Sequence, residues 1–254
     1  MQTEQFQLHA EIEQRHWWFV GRRRILRRLL AEVLPASRDT LLVDVGCGTG
    51  GNIASLSADY ACAGIDTSAE AIAIARQQFP GVRFFAGKAP EGLGELAGQA
   101  RGVMLMDVLE HVEDDEGLLA DLVAALSPGC WLLVTVPADP SLWSAHDVAF
   151  GHYRRYDRQG LEKLWEALPV GPKLVSHFNA RLLPVIRAIR TWNRRRGRAS
   201  GTAGTDFWLP SRPVNRLLGA TFAGEGPRLV DALHGRRKGY SRGASLVALL
   251  RREG

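Results

Sequence analysis

Short apolar runs alternate with amphipathic stretches along most of the chain. Buried strands of a parallel sheet are continuously apolar, and the helices between them repeat about every 3.6 residues, so this alternation predicts an α/β domain with helices on both faces of the sheet. The pattern predicts helices over 68–78 and 115–126. It predicts strands over 41–45, 60–65, 82–86, 102–107, 130–136, 173–178 and 244–250.

The alternation is interrupted between the sixth and seventh predicted strands. A typical connection in such a domain has about 2–6 residues, so the long segment here is an insertion. Its Gly- and Ser-rich stretch, 197–205, predicts a mobile loop. We therefore expect one domain with four parts: an N-terminal helical cap (1–38), a cofactor-binding core (39–179), a lid-like insertion (180–240) and a last strand (241–254).

A glycine-rich turn follows the first predicted strand. The run VDVGCGTG at 43–50 is typical of a strand, a tight turn and a helix start that bind a nucleotide-like cofactor. The glycine spacing suits both dinucleotides and S-adenosylmethionine, but the charge of the run distinguishes between these two cofactor classes. The carboxylate of Asp44 would repel a pyrophosphate and attract an ammonium and a sulfonium. Asp44 therefore favours S-adenosylmethionine over a nicotinamide cofactor.

A second carboxylate, Asp66, ends the next predicted strand twenty residues after Gly46. An acid in this position can accept both ribose hydroxyls of an adenosyl group. This feature suits either cofactor class.

Four segments in this order resemble the class I S-adenosylmethionine-dependent methyltransferases: VDVGCGTG, GIDTS at 64–68, MDVLEHV at 106–112 and SPGCWLLVTVP at 127–137. The resemblance covers about residues 40–180. It implies a doubly wound, mostly parallel, seven-stranded Rossmann-like sheet with an antiparallel last strand. Two further segments, HWWFVGRRR at 16–24 and HDVAFGHYRRYD at 146–157, resemble a bacterial subgroup of these enzymes.

The resemblance also implies which residues bind S-adenosyl-L-methionine. One departure concerns adenine: Gly87-Lys88-Ala89 stands where relatives usually have Gly-Asp-Ala, and a protonated lysine cannot accept a hydrogen bond. A backbone N–H of Lys88 or Ala89 is expected there instead. The expected cofactor-binding residues are Asp44, Gly46, Cys47, Gly48, Gly50, Asn52, Asp66, Thr67, Lys88, Ala89, Asp107 and Val108.

The acceptor site is expected in the loop after the fifth strand, because ligands of such sheets bind at the carboxyl ends of the strands. A histidine oriented by a carboxylate is a suitable general base. The catalytic candidates are His146, Asp147 and His152, with His146 first because Asp147 adjoins it; both histidines would otherwise only cap the loop. The substrate-binding candidates are Trp17, Trp18, Arg154, Arg155 and Tyr156. Alternatively, Trp17 and Trp18 would pack onto the core, and Arg154 and Arg155 would form structural salt bridges.

Asp107, Glu110 and His111 suggest a metal-assisted O-methyltransferase, because acid-x-x-Glu-His segments of this kind bind divalent metals in some relatives. Metal-free relatives share the segment, where these residues make local contacts, so no metal is assigned. A nicotinamide-dependent oxidoreductase is disfavoured by Asp44. A cofactor-binding protein without turnover is disfavoured by the polar loop at 146–156.

The composition is compatible with a single α/β domain. The 254 residues are 46% hydrophobic, carry a net charge of +5 and include three cysteines without metal-binding spacing. The start lacks the features of a signal peptide and no apolar run reaches about 20 residues, so a cytoplasmic protein is expected. The basic amphipathic stretch at 181–198 indicates either a solvated lid helix or peripheral membrane contact. Nucleic acid is not an expected partner.

Together these features predict an S-adenosylmethionine-dependent methyltransferase that acts on a small-molecule or lipid-linked metabolite. Its reaction would be an in-line methyl transfer, in which the enzyme chiefly aligns the two reactants.

Overall fold

One mixed sheet of seven strands runs through the computed structural model, which describes residues 12–196 and 208–254. The strands are β1 (Ser37–Val45), β2 (Tyr60–Asp66), β3 (Arg83–Ala86), β4 (Gly102–Met106), β5 (Trp131–Pro137), β6 (Val170–Phe178) and β7 (Ser245–Arg252). Their order across the sheet is β3-β2-β1-β4-β5-β7-β6. Strands β1 to β5 are parallel, and β7 is antiparallel to both of its neighbours. The predicted fold class is confirmed.

The helices connect the strands on both faces. They are α1 (Trp17–Val33), α2 (Gly51–Ala54), α3 (Ala69–Gln78), α4 (Glu95–Gln99), α5 (Asp115–Ala125), α6 (Ala145–Ala149), α7 (Arg158–Lys163), α8 (Leu183–Arg196), α9 (Arg212–Ala223) and α10 (Gly226–Leu233). The two predicted helices begin at side-chain caps: Ser68 accepts from the Ala71 amide and Asp114 from the Gly117 amide. Within the described residues, no helix has the length and apolar character that a membrane span requires.

All seven predicted strands are present, with small differences at their ends. The largest difference is at β1, which begins at Ser37 instead of 41; β6 begins at Val170 instead of 173 and so includes Gly171 and Pro172. Both residues are tolerated because β6 is an edge strand, where a proline removes no hydrogen bond from a neighbour. The pairing register shifts between Pro172 and Leu174.

The first core layer lies between the sheet and the helices α4, α5 and α7. Alternate residues of the central strands, such as Val43, Leu105 and Val134, meet Leu119 and Leu122 of α5 there. All five side chains are fully buried.

The second core layer lies on the opposite face. Leu42 of β1 and Leu133 of β5 pack there with Ile25 and Leu29 of α1. The segment predicted as a lid contributes to this layer, because α9 supplies Phe222. Whether α8 and the rest of 180–240 act as a lid stays a prediction, and the loop predicted at 197–205 lies outside the described residues.

The strand order reverses at β1, because β2 and β3 lie on one side of it and β4 and β5 lie on the other. Doubly wound sheets bind ligands at such a switch point, outside the carboxyl ends of the strands. In this protein those ends carry Asp44, Asp66 and Asp107.

The contact between α1 and α9 leaves no space for a side chain at Gly21. A Cβ there would lie 2.7 Å from Cδ1 of Phe222, whose ring is fully buried and also packs against Phe178, with 5.6 Å between ring centroids. Phe222 therefore joins the insertion to the cap helix and the sheet.

We expect Phe222→Ala to lower the free energy of unfolding by about 3–5 kcal/mol, because the deletion leaves a cavity in a packed core. Urea denaturation followed by circular dichroism measures this change. The control is Leu217→Ala on the same helix, where the side chain is 67% exposed and the effect should stay within about 0.5 kcal/mol. Equal effects of the two substitutions would contradict this account of α9.

Candidate active site

The glycine turn between β1 and α2 has the backbone that the sequence predicts. Gly46, Gly48 and Gly50 have φ values of 70°, 53° and 85°, in the left-handed region that other residues rarely adopt. A Cβ at Gly46 would lie 2.6 Å from Val108, whereas no atom of the described residues lies within 4 Å of a Cβ at Gly48. The turn is therefore open at Gly48, where a ligand can approach the backbone.

Asp44 is fully buried beneath this turn, and within 12–196 and 208–254 neither of its carboxylate oxygens has a hydrogen-bond partner. Burial raises its pKa to about 8; the positive charge of Arg22 opposes the shift, and the negative charges of Asp66 and Glu13 add to it. A buried acid with unused acceptors is costly unless a donor binds it. An ammonium group supplies such donors, so the residue fits the methionine end of S-adenosylmethionine.

Asp66 is preorganised by two backbone amides. Its Oδ2 accepts from Gly48 N at 2.9 Å, and its Oδ1 accepts from Ser68 N at 2.8 Å. Each oxygen keeps a second lone pair, so the carboxylate can also accept from a ribose diol. The next turn is tied to the same residue, because the Gly87 amide donates to the Asp66 carbonyl at 2.9 Å. Lys88 and Ala89 follow directly, on the side expected for adenine.

Arg22 of α1 carries a positive charge into this group of acids. Its guanidinium forms an ion pair with Asp107, and its side chain is only 3% exposed. It also donates to Oδ1 of Asn52 at 3.4 Å and lies 4.1 Å from the ring centroid of Trp18. The cap helix is thus connected electrostatically to the carboxyl end of β4.

Asp107 itself has a left-handed backbone, with φ of 58°. Its amide donates to the Thr135 carbonyl at 3.0 Å, and the Thr135 hydroxyl donates to its Oδ1 at 3.2 Å. These two bonds to β5 hold a conformation that a non-glycine residue adopts at a cost. Both carboxylate oxygens of Asp107 are therefore engaged, one by Thr135 and one by Arg22.

Glu13 approaches the glycine turn from the N-terminal side. The Thr49 hydroxyl donates to its Oε1 at 3.0 Å, and a Cβ at Gly51 would lie 2.5 Å from its carboxyl group. Burial raises its pKa, while the hydrogen bond from Thr49 lowers it. The cap therefore contacts the turn directly.

The sequence interpretation missed both Arg22 and Glu13. Arg22 was detectable, because it lies three residues after Phe19 and three before Ile25 and so shares the apolar face of α1. We find no comparable signal for Glu13.

Trp17 and Trp18 point to different places. The Trp17 ring packs edge-on against Phe222 of α9, with centroids 6.0 Å apart, whereas Trp18 lies beneath the Arg22 guanidinium. Only Trp18 therefore borders the charged site. Their role in substrate binding stays a prediction.

In the loop after β5, Asp147 pairs with His152. Asp147 is fully buried; its Oδ1 lies 3.0 Å from Nδ1 of His152 and accepts from Nε of Arg155 at 2.7 Å. Burial alone would raise the pKa of Asp147, but the hydrogen bonds from His152 and Arg155 hold it below its usual range. The carboxylate stays ionised and orients the His152 ring.

His146 has a different environment. Burial is the main cause that lowers its pKa, to about 3, and the charge of Arg190 lowers it further. Its ring lies 4.7 Å from that of Phe150 and 6.3 Å from that of His152. His146 is therefore neutral at physiological pH and a weak proton acceptor.

The other acceptor-side candidates are engaged with the protein. Arg155 also donates to the Ala138 carbonyl at 3.0 Å, and Arg154 forms an ion pair with Asp115. The buried Tyr156 hydroxyl donates to Asp115 at 2.5 Å. The suggested role of these residues in binding substrate stays a prediction.

Glu110, His111 and His152 come together beside this loop. Each offers one potential metal-ligand atom, and these atoms all lie within 4.8 Å of one another. Burial, followed by the charge of Asp107, raises the pKa of Glu110. Burial also lowers the pKa of His111, to about 4. The structure groups His152 with Glu110 and His111, whereas the sequence had suggested Asp107.

Comparison with known proteins decides the family. A model of the methyltransferase domain matches residues 18–169, which is more than half of the chain. The chain belongs to the methyltransferase domain family. The predicted family is confirmed at this level, whereas the bacterial subgroup stays a prediction.

Individual methyltransferases are similar over parts of the chain. The trans-aconitate 2-methyltransferase of Paracidovorax citrulli is 29% identical over 185 residues, which are 68% of this chain and 66% of that protein. The trans-aconitate 2-methyltransferase of Rhodopseudomonas palustris is 28% identical over 68% of this chain and 67% of that protein. The chain thus aligns with about two thirds of these relatives' length.

Among solved structures, the plantazolicin methyltransferase BpumL in complex with SAH has a TM-score of 0.58. It is 14% identical, and the alignment covers 99% of this chain and 88% of that one. This likeness confirms the methyltransferase fold.

The pKa of Asp44 generates a prediction about this methyltransferase. Below pH 8 the acid must lose a proton before it can hold an ammonium group. The affinity for S-adenosylmethionine should therefore rise about tenfold per pH unit between pH 6 and 7.5. Calorimetry in buffers of different ionisation enthalpy measures both the affinity and the released proton.

Asp44→Asn is the matched control, because it keeps the shape of the side chain and cannot ionise. The variant should bind more weakly, with affinity independent of pH in this range. The same pH dependence in the variant and in the wild type would contradict the assignment to Asp44.

Proposed function

We propose that this chain transfers a methyl group from S-adenosyl-L-methionine to a small-molecule or lipid-linked acceptor. One observation carries the proposal: the carboxylate of Asp44 is buried beside an open glycine turn and has no hydrogen-bond partner among the described residues. Family membership supports the same reaction. A nicotinamide cofactor is disfavoured, because its pyrophosphate would meet this acid.

In this proposal, one group of residues binds the cofactor and another acts on the acceptor. Asp44 holds the ammonium end of the cofactor, Asp66 holds the ribose, and the amides after Gly87 face the adenine. When bound, S-adenosyl-L-methionine supplies a methyl group on a positively charged sulfur. The protein's main contribution to the reaction is alignment, which can lower the barrier by about 7–11 kcal/mol.

The pair of His152 and Asp147 handles the acceptor's proton when the acceptor has one to lose. Nδ1 of His152 donates a hydrogen bond to the Asp147 carboxylate. Nε2 is then the ring nitrogen that can accept a proton. His146 is the weaker proton acceptor, because burial lowers its pKa to about 3, although the sequence placed it first. The sequence's general principle, a histidine oriented by a carboxylate, applies to His152.

The acceptor's chemical class is supported by two separate observations. The curated relatives are trans-aconitate 2-methyltransferases, so trans-aconitate is the first small molecule to assay. The insertion supports a lipid-linked acceptor instead. Of the nine large apolar side chains that are exposed in the described part of the chain, seven lie between 185 and 217.

Helix α8 carries the clearest part of this exposed surface. Val185, Ile189 and Trp192 are 51%, 39% and 55% exposed and recur at i, i+4 and i+7, so they share one side of the helix. The exposed Arg195 lies on the same helix. An apolar stripe with basic residues is suited to an anionic lipid surface. We propose that α8 brings the site to lipid-linked substrate.

Conversion of S-adenosylmethionine to S-adenosylhomocysteine, measured by mass spectrometry, tests the activity. The protein is incubated with the cofactor and, separately, with trans-aconitate, a bacterial metabolite extract and a bacterial lipid extract. The expected result is a product heavier by one methyl group in one of the three mixtures. Absence of cofactor binding would overturn the proposal.

A second prediction separates the two histidines. His152→Ala should lower turnover of a hydroxyl acceptor by about 10²–10⁴, with cofactor affinity near that of wild type, because a general base contributes about that factor. Steady-state kinetics and calorimetry measure the two quantities. His234→Ala, on a surface ion pair with Glu32, is the control. A larger loss of turnover in His146→Ala than in His152→Ala would favour His146 as the general base.

The lipid surface is tested with vesicles. Full-length protein should sediment with vesicles of phosphatidylglycerol and not with phosphatidylcholine alone. Ile189→Glu combined with Trp192→Glu should weaken binding by about 100-fold or more, because two apolar side chains worth about 1.5–3 kcal/mol each no longer insert. Val148→Glu, an exposed apolar position outside the stripe, is the control. Binding unchanged in the double variant would exclude this surface.

A further inference from the structure

A cavity lies at the outer edge of the sheet, beside the edge strand β6. Its walls come from the start of α7, from the middle of β6, and from α10 and the segment 237–241 that follows it. The volume is about 320 Å³. Cavities that bind small molecules have volumes of about 300–1,000 Å³, so this one is large enough for a small ligand.

The lining of this cavity is basic. Four of the ten lining residues carry a positive charge and none carries a negative charge; the four are Arg158, Lys173, Arg237 and Lys238. Within residues 12–196 and 208–254, only Arg158 among them has an ion-pair partner, the exposed Glu162 at 2.9 Å. A surface pair of this kind is weak. Cations gathered in a concave surface attract anions more strongly than scattered cations do.

The backbone of β6 adds a hydrogen-bond donor to the same wall. In an antiparallel pair, every second residue of an edge strand directs its N–H away from the neighbouring strand. The His177 amide points outward in this way, because it donates to the Tyr240 carbonyl at 3.2 Å. Val175 lies two residues earlier in an unshifted register and lines the cavity, so its amide points to the same side.

The segment 237–241 is fixed against β6. The Tyr240 amide donates to the Ser176 hydroxyl at 2.8 Å, and a Cβ at Gly239 would lie 2.5 Å from that hydroxyl oxygen. Arg228 of α10 donates to the carbonyls of Lys238 and Gly239, both at 3.1 Å. Its guanidinium also lies 4.4 Å from the ring centroid of Tyr240. This wall is therefore formed before a ligand arrives, which lowers the entropy cost of binding.

We propose that this cavity binds a small molecule that carries two phosphate groups. A phosphate group on a small molecule carries a charge of about −1.5 to −2 at pH 7, so two of them balance about four cations. The guanidinium groups of Arg158 and Arg237 match pairs of phosphate oxygens, and the two lysines add compact charges. The half-buried ring of Tyr240 offers an apolar surface to the rest of the molecule.

The cavity is separate from the site of the proposed methyl transfer. Strand β6 is three positions away from β4 in the sheet, which is about 14 Å at a strand spacing of about 4.8 Å. The four cations belong neither to the predicted cofactor-binding residues nor to the predicted acceptor residues. Binding in this cavity therefore does not depend on methyl transfer.

Calorimetry on the full chain tests the site, with pyrophosphate as the probe in a phosphate-free buffer of low ionic strength. The expected result is one pyrophosphate per chain, bound more tightly than orthophosphate or citrate and more weakly when NaCl is added. The titration is repeated with excess S-adenosylmethionine, and the affinity for pyrophosphate should not change. Failure of S-adenosylmethionine to bind would count against the proposed function and leave the pyrophosphate result intact.

Variants that remove charge distinguish the cavity from the rest of the basic surface. Arg237→Ala combined with Lys238→Ala should weaken pyrophosphate binding by about 10–100-fold, and Lys173→Ala by about 3–10-fold, because each removes a cation from a partly exposed site. The matched control combines Arg83→Ala with Arg216→Ala, two exposed positions outside the cavity. It removes the same charge and should change the affinity by less than about twofold, because salt screens distant charges. Circular dichroism checks that each variant is folded.

Three results would overturn the inference. The first is that the wild type does not bind pyrophosphate. The second is an equal loss of affinity in the cavity double variant and in the control double variant, which would indicate diffuse attraction to the whole surface. The third is competition between pyrophosphate and S-adenosylmethionine, which would place the probe at the glycine turn. Tighter binding of citrate than of pyrophosphate would reject phosphate as the recognised group.

Discussion

The positive charge of Arg22 is the constraint on which the rest of the site depends. One buried guanidinium pairs with Asp107 and lowers the pKa values of Glu13, Asp44 and Glu110, all of which burial raises. Four acids from three segments thus surround a cation that comes from the cap helix. Because unpaired buried charge is costly, burial favours the protonated form of Glu13, Asp44 and Glu110, and Arg22 opposes that shift.

A second buried charge organises the loop after β5 in the same way. Asp147 is held ionised by His152 and Arg155, and it also accepts from the Ser144 amide at 2.8 Å at the start of α6. One carboxylate therefore fixes a helix start, a histidine ring and an arginine. The acids around the glycine turn surround a buried cation, and the loop after β5 surrounds a buried anion.

The sequence was sufficient for features that depend on local pattern. All seven strands, the glycine turn and the positions of Asp44 and Asp66 follow from apolar runs and from the residues that end them. The pairing of Asp147 was not accessible in this way. Neighbours on a helix point about 100° apart, and Gly151, with φ of 69°, turns the chain back so that the His152 amide donates to the Asp147 carbonyl. Adjacency in sequence therefore did not reveal that His152 contacts the Asp147 carboxylate.

The close contact between Gly21 and Phe222 has a mechanical consequence. Helix α1 is fixed to the sheet by buried residues such as Ile25 and Leu29, and α9 leaves no gap beside it. Helix α1 cannot move away from the sheet without exposing these buried side chains. A displacement of α1 would therefore expose core side chains and move Arg22 at the same time, because one helix carries both the core contacts and the buried cation.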